Sequence, residues 1–598
     1  MEIAKMKPVR LALILCVTLL LAGCGFGDGD SRGSANPGDV DIEEGEAGGT
    51  AAFLSTTDID YADPGLTYFT FGFMVQFAVN RALYQYQPGS DVPVADLATG
   101  EPQIAEDNRT ITVRLKPDIQ YAPPVKGVVT SADVKYAIER AFTTNVQSSY
   151  AEAYFGALEG APAKPVPIDD LEPFAGIETP NDFTLVLKLD KPVAQRVAAA
   201  LVLPITVPVP REYAQRFDRR EPSTYDSQVA FSGPYMIRNN RRTGELVGRV
   251  PGERIELVRN PNWDPETDFR PAYLNAITIE EGGEDLSRMV GQTLSGKGLL
   301  CCDDGLEIPE PILTRALDRF PTQVGSVPAG GTRWVALNTK IAPFDNLNVR
   351  KAVIAGFDRS SLRASRGGET AGPVAQGYLP PGISGHEESG GADGFEDFDW
   401  MQDPAGDAEL ARRYMLAARE DGVPVTPEGR YAGPGKILAV TSSAAPGLEV
   451  ARAARAQLAR MGFELELRQV PQETLFKRFC GTRRAAVAIC PEAAWFKDFA
   501  DPEEMLRPTF SGDALTPEGS YNWSALNVPE IDAAMREAAL AGTDDRSQAW
   551  ANVNRMVVEQ APGIPYLWDT AYQIASADLN AVMNPFSTTW DLNYVSIK

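Results

Sequence analysis

The stretch KILAVTSSAAPGLEVARAARAQLARMGFELELR, residues 436–468, has the pattern of a strand, a helix and a second strand. Its first residues are mostly apolar, as in a buried strand. Val450, Ala454 and Leu458 then recur at helical spacing, and Gly462 stands where a helix typically ends. Apolar and charged residues alternate after that glycine, which is typical of a half-buried strand. This unit predicts two parallel strands joined by a right-handed crossover, and therefore an α/β fold.

The same two patterns occur on both sides of this unit. Residues 111–115 and 184–189 alternate apolar and polar side chains, which predicts two more strands. Residues 130–133 resemble a capping box and precede apolar residues at helical spacing. Residues 529–560 predict two helices separated by Gly542. We therefore expect an α/β protein with more than one sheet.

Composition narrows the class of protein. The chain has 598 residues, of which 44% are hydrophobic and 23% charged, so it is globular and can bury several cores. Its formal net charge of -25 argues against sequence-independent binding of nucleic acid, which depends on clustered Lys and Arg. The one histidine, His386, excludes zinc sites built from several histidines, and a Ser-His-Asp triad could use only this residue. We interpret His386 as a solvated loop residue, because its stretch is rich in glycine and acidic residues.

The N-terminus has the pattern of an export signal. Residues 1–23 contain a basic start followed by an apolar run too short to span a bilayer comfortably. Residues 21–24 read Leu-Ala-Gly-Cys and resemble a lipobox, which implies that Cys24 is lipidated and becomes the first residue of the mature protein. Residues 24–50, rich in glycine and acidic residues, predict a flexible tether, because they cannot bury enough apolar surface to fold.

The remaining cysteines fit an exported protein, in which disulfides can form. Cys480 follows a helical segment and Cys490 ends an apolar run, so a bridge between them would close a short loop. We predict that disulfide. The adjacent Cys301 and Cys302 could form a vicinal bridge or stay free. No metal site is predicted at any of these cysteines, since no further His or Cys stands near them.

Six motifs in order, after the lipobox, resemble one family: the extracellular solute-binding proteins of family 5, which serve peptide and nickel ABC importers. The motifs are residues 111–117, residues 129–134 with 139–141, residues 232–235, residues 260–263, residues 343–345 with 349–352 and 358–359, and residues 495–502. The resemblance covers most of residues 50–598. It departs from the family pattern at residues 120–127, where Gln-Tyr-Ala-Pro-Pro-Val-Lys-Gly replaces the more usual Phe-Ser-Asp-Gly turn.

The resemblance implies a two-lobed periplasmic-binding-protein-like fold of class II, with a hinge and an extra inserted subdomain in the first lobe. Lobe I is expected to combine residues 51–80, 205–330 and 561–598. The inserted subdomain is expected at residues 81–204, and lobe II at residues 331–560. The signal peptide at residues 1–23 and the tether at residues 24–50 precede them.

The resemblance also implies the site. Asp498 occupies the position that receives the α-ammonium of the ligand in peptide binders, and Trp495 is expected to form an aromatic wall of the pocket. Asp501, directly before a proline, is interpreted as structural. Structural ion-pair roles are predicted for Arg140, Arg350 and Arg359. No residue can be assigned to the ligand's carboxylate.

The function implied is binding without covalent chemistry and without a cofactor. A monomer, held to the cell membrane only through its lipid, would close around a peptide and deliver it to an ABC permease with its ATPase subunits. No nucleic-acid partner is expected. Alternatives stay open: a family member that binds a metal chelate, an opine or an oligosaccharide, an anchored hydrolase such as a paired-carboxylate glycosidase, or an envelope scaffold.

Overall fold

The computed structural model describes residues 44–303, 305–306 and 308–598, with residues 543 and 544 described only in their backbone. The signal peptide, Cys24 and the first part of the predicted tether lie outside the described residues. The strands are β1 (Thr50–Leu54), β2 (Tyr84–Tyr86), β3 (Pro93–Ala95), β4 (Gln103–Ile104), β5 (Thr110–Arg114), β6 (Ile177–Asn181), β7 (Thr184–Lys188), β8 (Tyr235–Ile237), β9 (Arg249–Val250), β10 (Arg254–Arg259), β11 (Ala276–Glu280), β12 (Leu299–Cys301), β13 (Val324–Leu337), β14 (Ile437–Ser442), β15 (Leu465–Val470), β16 (Ile489–Phe496), β17 (Gly563–Ala575), β18 (Leu579–Asn580), β19 (Met583–Asn584), β20 (Thr589–Trp590) and β21 (Ser596–Ile597). The α-helices are α1 (Thr70–Val79), α2 (Ser131–Ala141), α3 (Ala151–Phe155), α4 (Ala194–Ala199), α5 (Arg211–Asp218), α6 (Leu286–Ser295), α7 (Glu310–Arg319), α8 (Leu347–Ala355), α9 (Arg359–Ala364), α10 (Asp399–Gln402), α11 (Ala408–Glu420), α12 (Gly447–Arg460), α13 (Gln472–Thr474), α14 (Pro502–Phe510), α15 (Pro529–Ala538) and α16 (Thr543–Glu559).

The largest sheet has the strand order β15-β14-β16-β13-β17-β12-β1-β11-β10-β8, with β9 beside β10. Its strands β14 and β15 pair in parallel, from Ile437 opposite Leu465 to Ser442 opposite Val470. The crossover predicted for residues 436–468 is therefore confirmed, with α12 as its helix. Gly462 ends that helix at φ +96°, where a Cβ would collide with the Tyr431 carbonyl.

Two long antiparallel strands connect the two lobes of the fold. Strand β13 has 14 residues and β17 has 13, and their pairing shifts register between Pro328 and Thr332. One end of β17 pairs with β12 of the predicted lobe I, while the far end of β13 pairs with β16 of the predicted lobe II. The interrupted pairing therefore lies where the lobes meet, at the place where a hinge is expected.

A separate four-stranded sheet, in the order β4-β5-β7-β6, belongs to the segment predicted as an inserted subdomain. Helix α2 packs on this sheet and begins with the predicted capping box. The Thr130 N–H donates to Asp133 Oδ2 at 2.9 Å across the first turn. Residues from this segment form their own hydrophobic core, which also takes in Phe499 and Phe586 from distant parts of the chain. The exact lobe and subdomain boundaries stay a prediction.

The structure corrects the interpretation of His386. Its side chain is only 5% exposed, its Nδ1 lies 2.9 Å from the Leu379 carbonyl oxygen, and its ring packs edge-on against Trp568. The histidine is therefore a buried packing residue, and not a solvated one. The composition of the segment suggested a solvated loop, because glycine and acidic residues are common in such loops. A glycine-rich segment can, however, also fold tightly against a helix.

The three predicted structural arginines differ in their partners. Arg140 is fully buried and pairs with Asp63 at 2.8 Å and Asp218 at 2.6 Å, as predicted. Arg350 donates to backbone carbonyl oxygens, and Arg359 donates to two backbone carbonyl oxygens and to the Gln376 Oε1, so the ion-pair prediction was wrong for these two. A guanidinium with several N–H donors can bind to neutral oxygen acceptors instead of a carboxylate.

The end of the predicted tether and the cysteines have defined positions. Glu46 forms a β-bridge with Ile597, so this part of the chain, just before β1, lies on the body of the protein. Cys480 and Cys490 are disulfide-bonded, with Sγ atoms 2.05 Å apart, and Cys301 and Cys302 are bonded to each other. Among the helices described, none has the length and apolar character of a membrane span.

Candidate functional site

A cavity of about 1070 Å³ lies beside β13 and β17, where the predicted lobes I and II meet. Both hinge strands contribute to it, through Ala329 and Arg333 of β13 and residues 569–572 of β17. Other parts of the wall come from loops after β1, β11 and β12, from the start of α1, from residues 494–498 and from residues 366–371. A volume of this size is in the range of small-ligand sites. Both predicted site residues, Trp495 and Asp498, line this cavity.

Local structure fixes the position of Asp498. Strand β16 ends at Phe496, and a short turn then leads to Asp501, whose carboxylate caps α14 by accepting from the Glu503 N–H at 2.8 Å. Asp501 also forms a bidentate ion pair with Arg546, at 2.8 and 2.9 Å. The structural interpretation of Asp501 is consistent with these contacts. Asp498 is thus held between a strand end and a capped helix start.

The turn that carries Asp498 contacts the inserted segment. The Tyr154 hydroxyl donates a hydrogen bond to Asp498 Oδ2, and the Tyr154 ring packs edge-on against Phe499 at 5.0 Å. The Ala500 N–H donates to the Tyr86 hydroxyl at 3.1 Å. Asp498 therefore lies where the predicted lobe II contacts the segment predicted as the inserted subdomain.

Among the described residues, no cation neutralises the Asp498 carboxylate. Burial raises the pKa of Asp498, and the hydrogen bond from Tyr154 opposes this rise only in part. Within the described part of the chain, Asp498 has no ion-pair partner. The neighbouring Lys497 instead donates to the Pro585 carbonyl oxygen at 2.6 Å, and burial lowers the pKa of Lys497 to about 8. An anion that is partly buried without a counter-ion is typical of a binding site.

Trp495 lines the cavity together with Asp498, and Glu504 and Tyr521 fix the orientation of its indole ring. Its Nε1–H donates to both the Glu504 Oε1, at 2.9 Å, and the Glu504 carbonyl oxygen, at 3.1 Å. Its ring packs edge-on against Tyr521 at 4.7 Å. Burial and the charge of Asp498 raise the pKa of Glu504 well above its usual value. The Trp495 indole is thus oriented by the Glu504 carboxyl group, and the raised pKa favours the protonated form of that carboxyl group.

Further aromatic residues line the cavity near Asp498. Tyr68 stacks on Tyr150 at 5.2 Å, and its neighbour Phe69 is 62% exposed. Burial, followed by the charge of Asp498, raises the pKa of Tyr68 to about 12. Aromatic faces next to a carboxylate suit a cationic group, since both attract positive charge.

The hinge end of the cavity contains a paired carboxylate. Arg333 Nε donates to both oxygens of Asp569, at 2.8 and 2.9 Å, and the Arg333 guanidinium lies 5.0 Å from the centre of the Phe496 ring. Burial raises the pKa of Asp569, while the charge of Arg333 opposes the rise. Arg366 also lines the cavity and faces the Tyr566 hydroxyl, and its Nε has no hydrogen-bond partner among the described residues. This region therefore combines a satisfied ion pair with a second guanidinium.

Most of these residues were not identified from sequence, among them Tyr154, Glu504 and Arg366. Tyr154 lies 344 residues from Asp498 in the chain, so only tertiary structure brings them together. Glu504 has the pattern of an ordinary acidic residue in the first turn of a helix. Arg366 lies in a glycine-rich segment where no spacing rule applies.

Comparisons with known proteins agree with this architecture. The family described as "Bacterial extracellular solute-binding proteins, family 5 Middle" matches residues 92–516. The periplasmic oligopeptide-binding protein OppA of Escherichia coli (strain K12) is 24% identical over 444 residues, covering 74% of this chain and 72% of the relative. Heme-binding protein A of Haemophilus influenzae is 23% identical and covers 97% of this chain and 98% of the relative.

Solved structures show the same fold. Clavulanic acid biosynthesis oligopeptide binding protein 2 has a TM-score of 0.80 at 25% identity and covers 94% of this chain and 98% of its own. The periplasmic binding protein DppA from Helicobacter pylori, in complex with the peptide STSA, has a TM-score of 0.66 at 18% identity, with coverage of 92% and 98%. The chain therefore belongs to family 5 of the bacterial extracellular solute-binding proteins.

Proposed function

We propose that the protein captures peptides through their free α-amine and delivers them to an ABC-type permease. The observation that carries this proposal is Asp498, a carboxylate that lines the cavity without a cationic partner among the described residues. Relatives and solved neighbours named as oligopeptide- or dipeptide-binding proteins support peptides as the ligand class. The function involves binding and release, and no covalent chemistry.

The physical basis is the exchange of water for a charged partner. An ammonium that enters between the lobes would give Asp498 a counter-ion where little water remains. Truncating one partner of such a desolvated pair typically costs about 2–5 kcal/mol. Asp498 belongs to the predicted lobe II and Tyr154 to the inserted segment. The pair formed by the ligand ammonium and Asp498 therefore favours the closed arrangement of the lobes.

The ligand's carboxylate needs a cation elsewhere in the cavity. Arg333 forms a two-oxygen ion pair with Asp569, whereas Arg366, which faces the Tyr566 hydroxyl and lies near the charge of Asp569, forms no such pair among the described residues and has an unpartnered Nε there. A guanidinium can hold a carboxylate through two parallel hydrogen bonds. We therefore assign the ligand's carboxylate to Arg366 as part of the proposal.

The proposed location is the outer face of the cell membrane, with the lipid on Cys24 as anchor. The lipobox at residues 21–24 supports it. Replacement of Cys24 by Ser should move the protein from the membrane fraction to the soluble fraction, and the mature wild-type protein should carry diacylglycerol by mass spectrometry. An unmodified Cys24 in the mature protein would contradict the anchor.

Thermal unfolding with peptide pools tests the ligand class. Protein stripped of bound ligand is mixed with pools of di- to pentapeptides, each paired with an N-acetylated twin. A ligand at about 100 times its dissociation constant should stabilise the fold by about 2.7 kcal/mol. We expect a shift with the free-amine pools and little shift with the acetylated ones. No shift with any pool would contradict peptide capture.

A further inference from the structure

Glu504 is an unusual carboxyl group behind the amine site. Its side chain is only 2% exposed, and its Oε1 accepts from the Trp495 indole at 2.9 Å. Its Oε2 is buried and has no well-aligned hydrogen-bond partner among the described residues, although the Asp498 N–H faces the carboxyl group. A buried carboxylate oxygen without a donor is costly, whereas a neutral carboxyl group tolerates the same position far better.

The surroundings of Glu504 add negative charge without a matching cation. The titratable groups that face it are Asp498, Asp501, Lys497, Tyr68, Tyr150 and Tyr154. Asp501 is already paired with Arg546. Lys497 directs its ammonium to the Pro585 carbonyl oxygen, and burial lowers its pKa to about 8. The pair formed by Asp498 and Glu504 is therefore a site where one proton stabilises two neighbouring carboxyl groups.

We propose that Glu504 holds a proton while the amine site is unliganded and releases it when a ligand ammonium docks at Asp498. This inference rests on the proposed function. The O–H bond of the Glu504 carboxyl group breaks, the proton passes to the solvent, and the ammonium keeps its own protons. Capture thus exchanges one positive charge for another, so the local charge of the pocket hardly changes. Glu504 acts as a positioning residue, through Asp498 and Trp495.

The release gives the binding affinity a defined pH dependence. Because binding expels a proton, affinity rises with pH as long as Glu504 is protonated in the unliganded protein. The rise ends when the ligand's own amine loses its proton, at a pH of about 8. A site with a permanently ionised Glu504 would show no such rise.

The stored proton can be tested without any ligand, by measuring unfolding between pH 5 and 8. Glu504→Gln keeps an acceptor for the Trp495 indole but cannot titrate. A folded-state pKa above the unfolded value makes wild-type stability fall with rising pH, so the folding constant of Glu504→Gln relative to wild type should rise about tenfold per pH unit. Glu530→Gln, an exposed residue on α15, serves as the control and should show a flat ratio. A flat ratio for Glu504→Gln would overturn the proposal.

The release is tested by titration calorimetry with Ala-Ala-Ala at pH 6.5, in buffers of low and high ionisation enthalpy. Wild type should release between about one half and one proton from Glu504 per bound peptide. The amine of the peptide is already protonated at this pH, so it takes up no proton on binding. Glu504→Gln should bind without release. Zero release by wild type, or equal release by the variant, would overturn the proposal. No binding of Ala-Ala-Ala or of any free-amine pool, with the stability slope present, would contradict peptide capture and with it the release step, while the stored proton would still be shown.

Discussion

Asp569 and Asp498 both line the cavity, but the protein supplies a cationic partner only to the Asp569 carboxylate among the described residues. Asp569, at the hinge, is buried and receives two hydrogen bonds from Arg333. Asp498, at the contact with the inserted segment, receives one hydrogen bond from the Tyr154 hydroxyl and has no cation within the described chain. Both line the cavity, so exposure to a ligand does not distinguish them. The difference lies in whether the protein itself supplies the counter-charge.

This difference separates a structural carboxylate from a binding one. An internal ion pair is complete before any ligand arrives, so Asp569 holds β13 against β17 at the place where their pairing is interrupted. The Asp498 charge is incomplete and gains most from an external ammonium. The comparison therefore predicts that equivalent substitutions at the two positions affect different quantities.

The largest effect is expected on ligand affinity in Asp498→Asn. The amide keeps the size of the side chain but removes the charge. The binding free energy for free-amine peptides should therefore weaken by about 2–5 kcal/mol. Stability without ligand should stay close to that of wild type, because no ion pair is broken. Calorimetric titration and urea unfolding measure the two quantities. Unchanged affinity would contradict the assignment of Asp498.

The second effect is on stability, in Asp569→Asn. This change removes the Asp569 charge from beside the Arg333 guanidinium, in a position where only 14% of the Arg333 side chain is exposed. The free energy of unfolding should therefore fall by about 3 kcal/mol, measured with urea. The preference for free-amine over acetylated peptides should persist. A loss of that preference with intact stability would show that the two carboxylates have exchanged roles.

A smaller effect is expected from Trp495→Phe. The phenyl ring keeps the aromatic wall but cannot donate to Glu504, so the lost hydrogen bond should reduce stability by about 1 kcal/mol. Affinity should decrease only slightly, since Asp498 and its charge remain. Trp334→Phe offers a matched control, because the buried Trp334 Nε1 has no hydrogen-bond partner to lose. Equal losses of stability in both variants would contradict a specific role for the Trp495 hydrogen bond.

Local patterns predicted much of the fold. The crossover at residues 436–468, the strand at Thr110–Arg114 and the capping box of α2 depend on periodicity and on neighbouring residues, which a sequence displays directly. The burial of His386 could not be predicted in the same way, because its partner Trp568 lies far away in the chain. The carbonyl partners of Arg350 were also hidden, since every residue carries a carbonyl group.

The candidate site was predictable in part for the same reason. Asp498 and Trp495 belong to one short motif, and the structure places both on the cavity wall. Tyr154 comes from another part of the chain, and Glu504 becomes unusual only when its Oε2 is found buried without a partner. Pairing and burial are tertiary properties, so sequence alone could not separate the unpaired Asp498 from the paired Asp569.

The most direct test of the central claim is a double-mutant cycle between the ligand amine and Asp498. The affinities of one peptide and its N-acetylated twin are measured for wild type and for Asp498→Asn, at pH 6.5 and fixed salt. If the ammonium binds to Asp498, acetylation should weaken binding to wild type at least about 30-fold and binding to the variant less than about threefold. An equal effect of acetylation in both proteins would contradict the account and place the ligand amine elsewhere.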